Sequence, residues 1–220
     1  MAEPNHQIEV QLGHLCNNRC VFCVSGQLSE QDRAPQLPEA PIRRQIEAAR
    51  ANGAQKITFL GGEPTIQRSF IGLLEQAVEL DFEEIVIFTN GVMTPRESFR
   101  ARVDRIVAGL GERAAERVIW RFSLQGGTRE AHDATTINPG AWDRIIESMG
   151  TLHGEDARIS GNMCVVSGNQ ASVVGLVDVA ARYGLENLHL DMFRPRDSGD
   201  RTEDYLKHLM RTPYSEMAVS

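Results

Sequence analysis

Glu84-Ile85-Val86-Ile87-Phe88-Thr89 carries four consecutive apolar side chains in a six-residue run. A run like this leaves no face for water. It predicts a strand buried on both sides, as in a parallel sheet covered by helices. Similar short apolar runs recur outward from it, at residues 7–12, 56–60, 118–124, 159–166 and 187–193. Amphipathic stretches separate them, at 41–52, 70–80, 95–110, 139–152 and 170–183, with a sixth over 200–211. Phe70, Leu73, Leu74, Ala77 and Val78 make one stripe at helical spacing, and Gly53 and Gly184 stand where helix caps belong. Strands alternating with helices imply right-handed parallel crossovers. Six such units predict an α/β fold with parallel strands, a partial (β/α)6 TIM-like barrel. A doubly wound open sheet is the alternative. Both put the ligand at the C-terminal ends of the strands.

The 220 residues read as one domain spanning 1–220, with 41% hydrophobic and 24% charged residues, ordinary for a globular chain. No apolar run reaches the length of a membrane span, and the first residues lack the basic start and apolar core of a signal peptide. The expectation is a cytoplasmic protein without a membrane partner. A formal net charge of −7 argues against nucleic acid, whose binders carry a basic excess.

Of the four cysteines, Cys16, Cys20 and Cys23 crowd into Cys16-Asn-Asn-Arg-Cys20-Val-Phe-Cys23, just after the first strand. A disulfide framework would spread them along the chain. Three thiolates can hold three irons of a cubane and leave the fourth open. With His14 they can instead form a Cys3His zinc site, although no second ligand pair is visible. Cys164 reads as a small core hydrophobe. After the second strand comes Gly61-Gly62-Glu63-Pro64. Its glycines permit a sharp turn and close approach to a ligand, and its oxygens can receive an ammonium group.

CxxxCxxC with Phe22 before the last cysteine, followed by GGEP one unit later, resembles the radical S-adenosylmethionine (SAM) superfamily. The resemblance covers roughly residues 7–193. It implies a [4Fe–4S] cluster on Cys16, Cys20 and Cys23, with SAM chelating the open iron. One electron, from a donor such as flavodoxin or ferredoxin, then breaks a carbon–sulfur bond, and the 5′-deoxyadenosyl radical takes hydrogen from a peptide or small-molecule substrate. Gly61, Gly62, Glu63 and Pro64 would receive the SAM amino group, with Phe22 near the adenine.

The resemblance also implies weaker SAM contacts. Thr89-Asn90-Gly91 closes the third strand, where Asn90 either meets the ligand or serves a turn. Ser123 and Gln125 close the fourth and would reach the carboxylate or ribose, or else cap the strand end. Asn162 is polar within the fifth strand and needs a partner there. Met192 or Phe193 on the sixth would pack on adenine or in the core. His132-Asp133 resembles an HD motif of the family. Thr136 and Ile137 occupy the place of the arginine that often follows it, leaving Arg121 and Arg129 as substitutes for a SAM-carboxylate contact.

No further cysteine group follows Cys23, so an auxiliary-cluster domain is not expected here, and the chain is shorter than usual members, reading as a minimal core or a piece of a longer protein. Other readings are a methyl-transferring or RNA-modifying radical SAM enzyme, and a non-enzymatic zinc-binding domain.

Overall fold

The structure, a computed structural model, describes residues 7–193. Six strands, β1 (Gln7–Gln11), β2 (Lys56–Leu60), β3 (Glu84–Thr89), β4 (Val118–Ser123), β5 (Arg158–Val165) and β6 (Leu188–Met192), form one sheet. Their order is β1-β2-β3-β4-β5-β6 and every pair is parallel. A doubly wound sheet reverses its strand order at a switch point. This one never reverses, and it curls as an open half of a barrel. The expected strands stand within one or two residues of their predicted limits.

The helices are α1 (Val24–Glu30), α2 (Glu39–Ala51), α3 (Phe70–Glu79), α4 (Glu97–Val107), α5 (Ala114–Arg117), α6 (Arg129–Thr136), α7 (Ala141–His153) and α8 (Gly175–Tyr183). Neither α1 nor α6 was expected. The reason is the same for both: their buried positions are Ser25 and Gly26 in α1, and His132, Thr135 and Thr136 in α6, so no apolar stripe marks them. The helix expected at 95–110 ends at Val107 and gives way to a 3-10 turn, Ala108–Arg113. The expected helix at 200–211 lies outside the described residues.

Register sorts the side chains into two faces. Phe88 aligns with Arg121, Arg121 with Ser160, Ser123 with Asn162, and Cys164 with Asp191, so these residues share the concave face. The alternate residues Ile57, Phe59, Ile85, Ile87, Trp120 and Phe122 face the helices and are buried. Phe70 of α3 ties this layer together. Its ring meets Phe59 edge-on at 5.9 Å and stacks on Phe99 of α4 at 6.1 Å. Burying one such ring contributes roughly 2–3 kcal/mol. No helix among the described residues is long and apolar enough to cross a membrane.

Candidate active site at the strand ends

The loop after β2 is fastened to the loop after β1. Gly62 N donates to Gly13 O at 2.8 Å and Glu63 N to Leu15 O at 2.9 Å. A Cβ on Gly62 would stand 2.3 Å from His14 O and 2.4 Å from Leu15 O. Glycine is therefore demanded here by the neighbouring backbone, where the sequence suggested a ligand. Gln67 adds a side-chain clamp, donating from Nε2 to Leu15 O at 2.8 Å and Glu63 O at 3.2 Å. The three residues leading into Cys16 are thus held by the GGEP turn.

Glu63 is buried at 1% exposure. Its Oε1 accepts from Thr65 N (3.1 Å), Thr65 Oγ1 (2.6 Å) and Thr89 Oγ1 (2.9 Å), and its Oε2 from Asn90 N (2.7 Å). These bonds couple the ends of β2 and β3. Burial nevertheless raises the carboxyl pKa, outweighing the four donors. No described Lys or Arg pairs with it. A carboxylate has about four acceptor positions, so Oε2 keeps room for another donor. A ligand ammonium would supply the missing counter-charge.

The cysteine loop is also held from its other side. Arg19 N donates to Thr136 O and Val21 N to Thr135 O, both at 2.9 Å. Those carbonyls end α6, where a helix leaves its acceptors unsatisfied. Asn138 Nδ2 reaches Asn18 Oδ1 at 2.6 Å and Asn17 O at 3.3 Å. Asn90 Nδ2 donates to Asn17 Oδ1 at 2.7 Å, and Asn90 Oδ1 accepts from Val92 N at 3.1 Å in a local turn. Of the expected roles for Asn90, the turn is thus formed, and Asn90 stands 4.0 Å from Cys16 Sγ as well.

Cys16, Cys20, Phe22, Cys23, Gly61, Gly62, Glu63, Pro64, Asn90, Ser123 and Gln125 all line one cavity of about 170 Å³. All four cysteines are free and half-buried. Burial pushes the Cys16 thiol up to about 12, helped by the charges of Glu63 and Cys23. Cys20 is raised too, by burial and then by Cys23 and Cys16. Three thiols that perturb one another belong together, and a metal that binds them must displace their protons. The zinc alternative fits poorly. Zinc needs every sulfur about 2.3 Å from one centre, and among the described residues no three His, Cys, Asp or Glu groups converge in that way. His14 is also engaged, with Nδ1 3.0 Å from Ser25 Oγ. Thiols spread around a cavity suit a cubane, in which each sulfur takes its own iron.

Residues 10–180 match the family model described as the Radical SAM superfamily. The chain belongs to the radical SAM superfamily. A probable GTP 3′,8-cyclase of Saccharolobus islandicus (strain M.14.25 / Kamchatka #1) is 24% identical over 196 residues, covering 88% of this chain and 59% of the cyclase. The GTP 3′,8-cyclase of Actinobacillus succinogenes (strain ATCC 55618 / DSM 22257 / CCUG 43843 / 130Z) is 33% identical over 88 residues, 39% of this chain and 26% of its own length. The chain therefore spans less than two thirds of these relatives. In fold it resembles SuiB of Streptococcus suis bound to S-adenosylmethionine, with a TM-score of 0.69 and 18% identity over 88% of this chain and 42% of SuiB. It also resembles native anSMEcpe with bound AdoMet and Kp18Cys peptide, at a TM-score of 0.64 and 14% identity over 92% of this chain and 58% of the other. Radical SAM proteins use a [4Fe–4S] cluster and SAM.

Two expectations, for Met192 and Cys164, need correction within this radical SAM frame. Met192 does not join the cavity: it aligns with buried Val165 and packs on the helix-facing core, because alternation along β6 turns it away from the concave side. The aromatic surface beside Phe22 is instead Phe193, with ring centroids 6.3 Å apart. Cys164 is not a core hydrophobe. It lies half-buried on the concave face, with its thiol pushed up to about 12 by burial, then by the charges of Asp191 and Cys23. Asn162 shares that face beside Ser123 but lies outside the cavity lining. The Ser123 hydroxyl faces the cavity and has no partner among the described residues.

Gln125 spends its Oε1 on Cys164 N at 3.0 Å, while its carbonyl accepts from Asn169 Nδ2 at 3.0 Å and its N–H donates to His132 Nδ1 at 3.1 Å. The HD pair is thus structural in its contacts. His132 holds the end of β4, and Asp133 takes Gly140 N and Trp142 N at the start of α7. Arg129 pairs with Asp143 on the surface, outside the cavity lining. Asn17, Asn18, Thr65, Gln67, Asn138 and Asn169 were missed by sequence reasoning. Only the Asn17-Asn18 pair inside the cysteine motif offered a signal.

Proposed function

We propose that this chain is the core domain of a radical SAM enzyme acting by hydrogen abstraction on a peptide or small-molecule substrate. Cys16, Cys20 and Cys23 would ligate the [4Fe–4S] cluster. The Gly61–Pro64 backbone and Glu63 Oε2 would take the SAM ammonium, Ser123 and Gln125 its polar groups, and Phe22 with Phe193 its adenine. When bound, the cluster and SAM supply reductive carbon–sulfur cleavage and a 5′-deoxyadenosyl radical. The protein's own role is to converge the ligands, balance charge at Glu63 and keep water from the cavity. A single-electron donor such as flavodoxin or ferredoxin belongs to this reading.

The observation that carries it is the convergence on one cavity of three free thiols, the GGEP turn and the ends of β3 and β4. The test is iron and sulfide analysis of anaerobically reconstituted protein, with EPR after dithionite reduction, before and after SAM. About four irons per chain, a spectrum altered by SAM and release of 5′-deoxyadenosine are expected. Stoichiometric zinc with no cluster signal would overturn it.

A further inference from the structure

Among the described residues, the Lys and Arg side chains on the concave face are paired with carboxylates, with one exception. Near the start of the strands Lys56 pairs with Glu84, and Arg158 reaches Glu84 at 3.7 Å and Glu186 at 2.6 Å. Arg121, in the middle of β4, has no carboxylate within salt-bridge distance among the described residues. Its position is nonetheless fixed. Nε donates to Ser160 Oγ on β5 at 3.1 Å, and the guanidinium lies over the Phe88 ring of β3, 5.2 Å from its centroid. The guanidinium is therefore preorganised across three strands, and its terminal nitrogens have no partner among the described residues.

A guanidinium fork in this state matches a carboxylate or phosphate, which it binds through two parallel N–H donors. Preorganisation by stacking and by Ser160 lowers the entropy lost when the anion arrives. Phe88 lines the cysteine cavity and Arg121 does not, so the guanidinium stacks on a residue of the cavity wall while lying outside the lining itself. Arg121 also lies two residues before Ser123, about 7 Å deeper along the strand. A group reaching Arg121 is thus distinct from the one held among the cysteines. Beside it are Ser160 and Asn162 on β5, then His189 on β6 opposite Asn162. On this side of the sheet, Glu84 of the adjacent strand lies four residues toward the strand start and is engaged by Lys56 and Arg158, and Asp191 is two strands away.

We infer that Arg121 is the anchor of a second subsite on the concave face, binding an anionic oxygen group of the substrate, a carboxylate or a phosphate. The inference rests on the function proposed above, because it takes the cysteine cavity as the SAM site.

The test uses anaerobically reconstituted protein with the cluster oxidised. The Arg121 side-chain Nε–H resonance is assigned by its loss in both R121Q and R121K, so that one poorly folding variant does not decide the assignment. SAM is titrated first, then inorganic phosphate or acetate into the SAM-loaded protein. SAM alone should leave the resonance in place, and an anion should move it saturably in the millimolar range. A response to phosphate alone assigns a phosphorylated substrate, and a response to acetate assigns a carboxylate. No movement with either anion overturns the subsite. Movement with SAM alone also overturns it, and gives Arg121 to the SAM carboxylate. Cluster content and SAM binding in the same sample report on the radical SAM reading separately.

Discussion

Asn138 donates from Nδ2 to Asn18 Oδ1 at 2.6 Å, joining the segment after α6 to the middle of the cysteine loop. The residue between α6 and Asn138 is Ile137, held left-handed at φ 48. A β-branched side chain adopts that conformation at a cost of order 1–3 kcal/mol and only when its surroundings impose it. The surroundings here are the two backbone bonds from Arg19 and Val21 to the end of α6. The loop that carries the cysteines is therefore clamped between the GGEP turn and α6.

Removing the Asn138 amide should loosen the loop without unfolding the barrel. N138A is expected to lower stability by about 1 kcal/mol. It should also lower the iron retained per chain after gel filtration. Full retention at unchanged stability would show that the Asn138 bond does not hold the loop.

The four cysteines should separate cleanly. C20A is expected to lose the cluster absorbance and most iron, with far-ultraviolet circular dichroism preserved. C164A should retain wild-type iron, since Cys164 lies on β5, outside the cavity lining. Loss of iron in C164A equal to that in C20A would place a fourth thiol at the cluster.

At Gly62 even one methyl group is too much. G62A forces Cβ against His14 O and Leu15 O and must push apart the loops after β1 and β2, which are joined by bonds of 2.8 and 2.9 Å. A loss of roughly 2–4 kcal/mol in urea unfolding is expected. A loss below about 1 kcal/mol would mean that these loops separate easily.

His132 gives the protein an acid-sensitive step. Its ring is 1% exposed, Nδ1 accepts from Gln125 N, and Nε2, which must then carry the proton, has no partner. Burial lowers its pKa to about 4, against the opposing charge of Asp133. Between the ordinary value near 6.5 and about 4 the unfolded chain binds the proton more readily. Stability is then level above pH 6.5 and falls as pH drops toward 4, by a total on the order of 3 kcal/mol. Denaturant unfolding of the wild type and H132Q across this range checks it. The variant should lose this share of the slope, and parallel curves would remove His132 as the cause.

The strands and the two lead motifs were legible in the amino-acid sequence. Buried parallel strands such as Ile85–Phe88 need apolar residues on both faces, and that demand shows as an uninterrupted run. The cysteines and GGEP were legible because their chemistry needs particular atoms at short spacing. Only the tertiary structure decided the rest. Helix α6 buries His132, Thr135 and Thr136, so it carries no hydrophobic period to read. Met192 or Phe193, and Arg121 or Arg129, were equal choices along the chain. Register separated the first pair, since alternation sends adjacent residues to opposite faces. Position separated the second pair, since Arg129 meets Asp143 in solvent while Arg121 lies across the concave face. The clamp on the cysteine loop was invisible for a related reason. Asn18 and Asn138 are 120 residues apart, and their bond exists only once the curled sheet has brought the segment after α6 against the loop after β1.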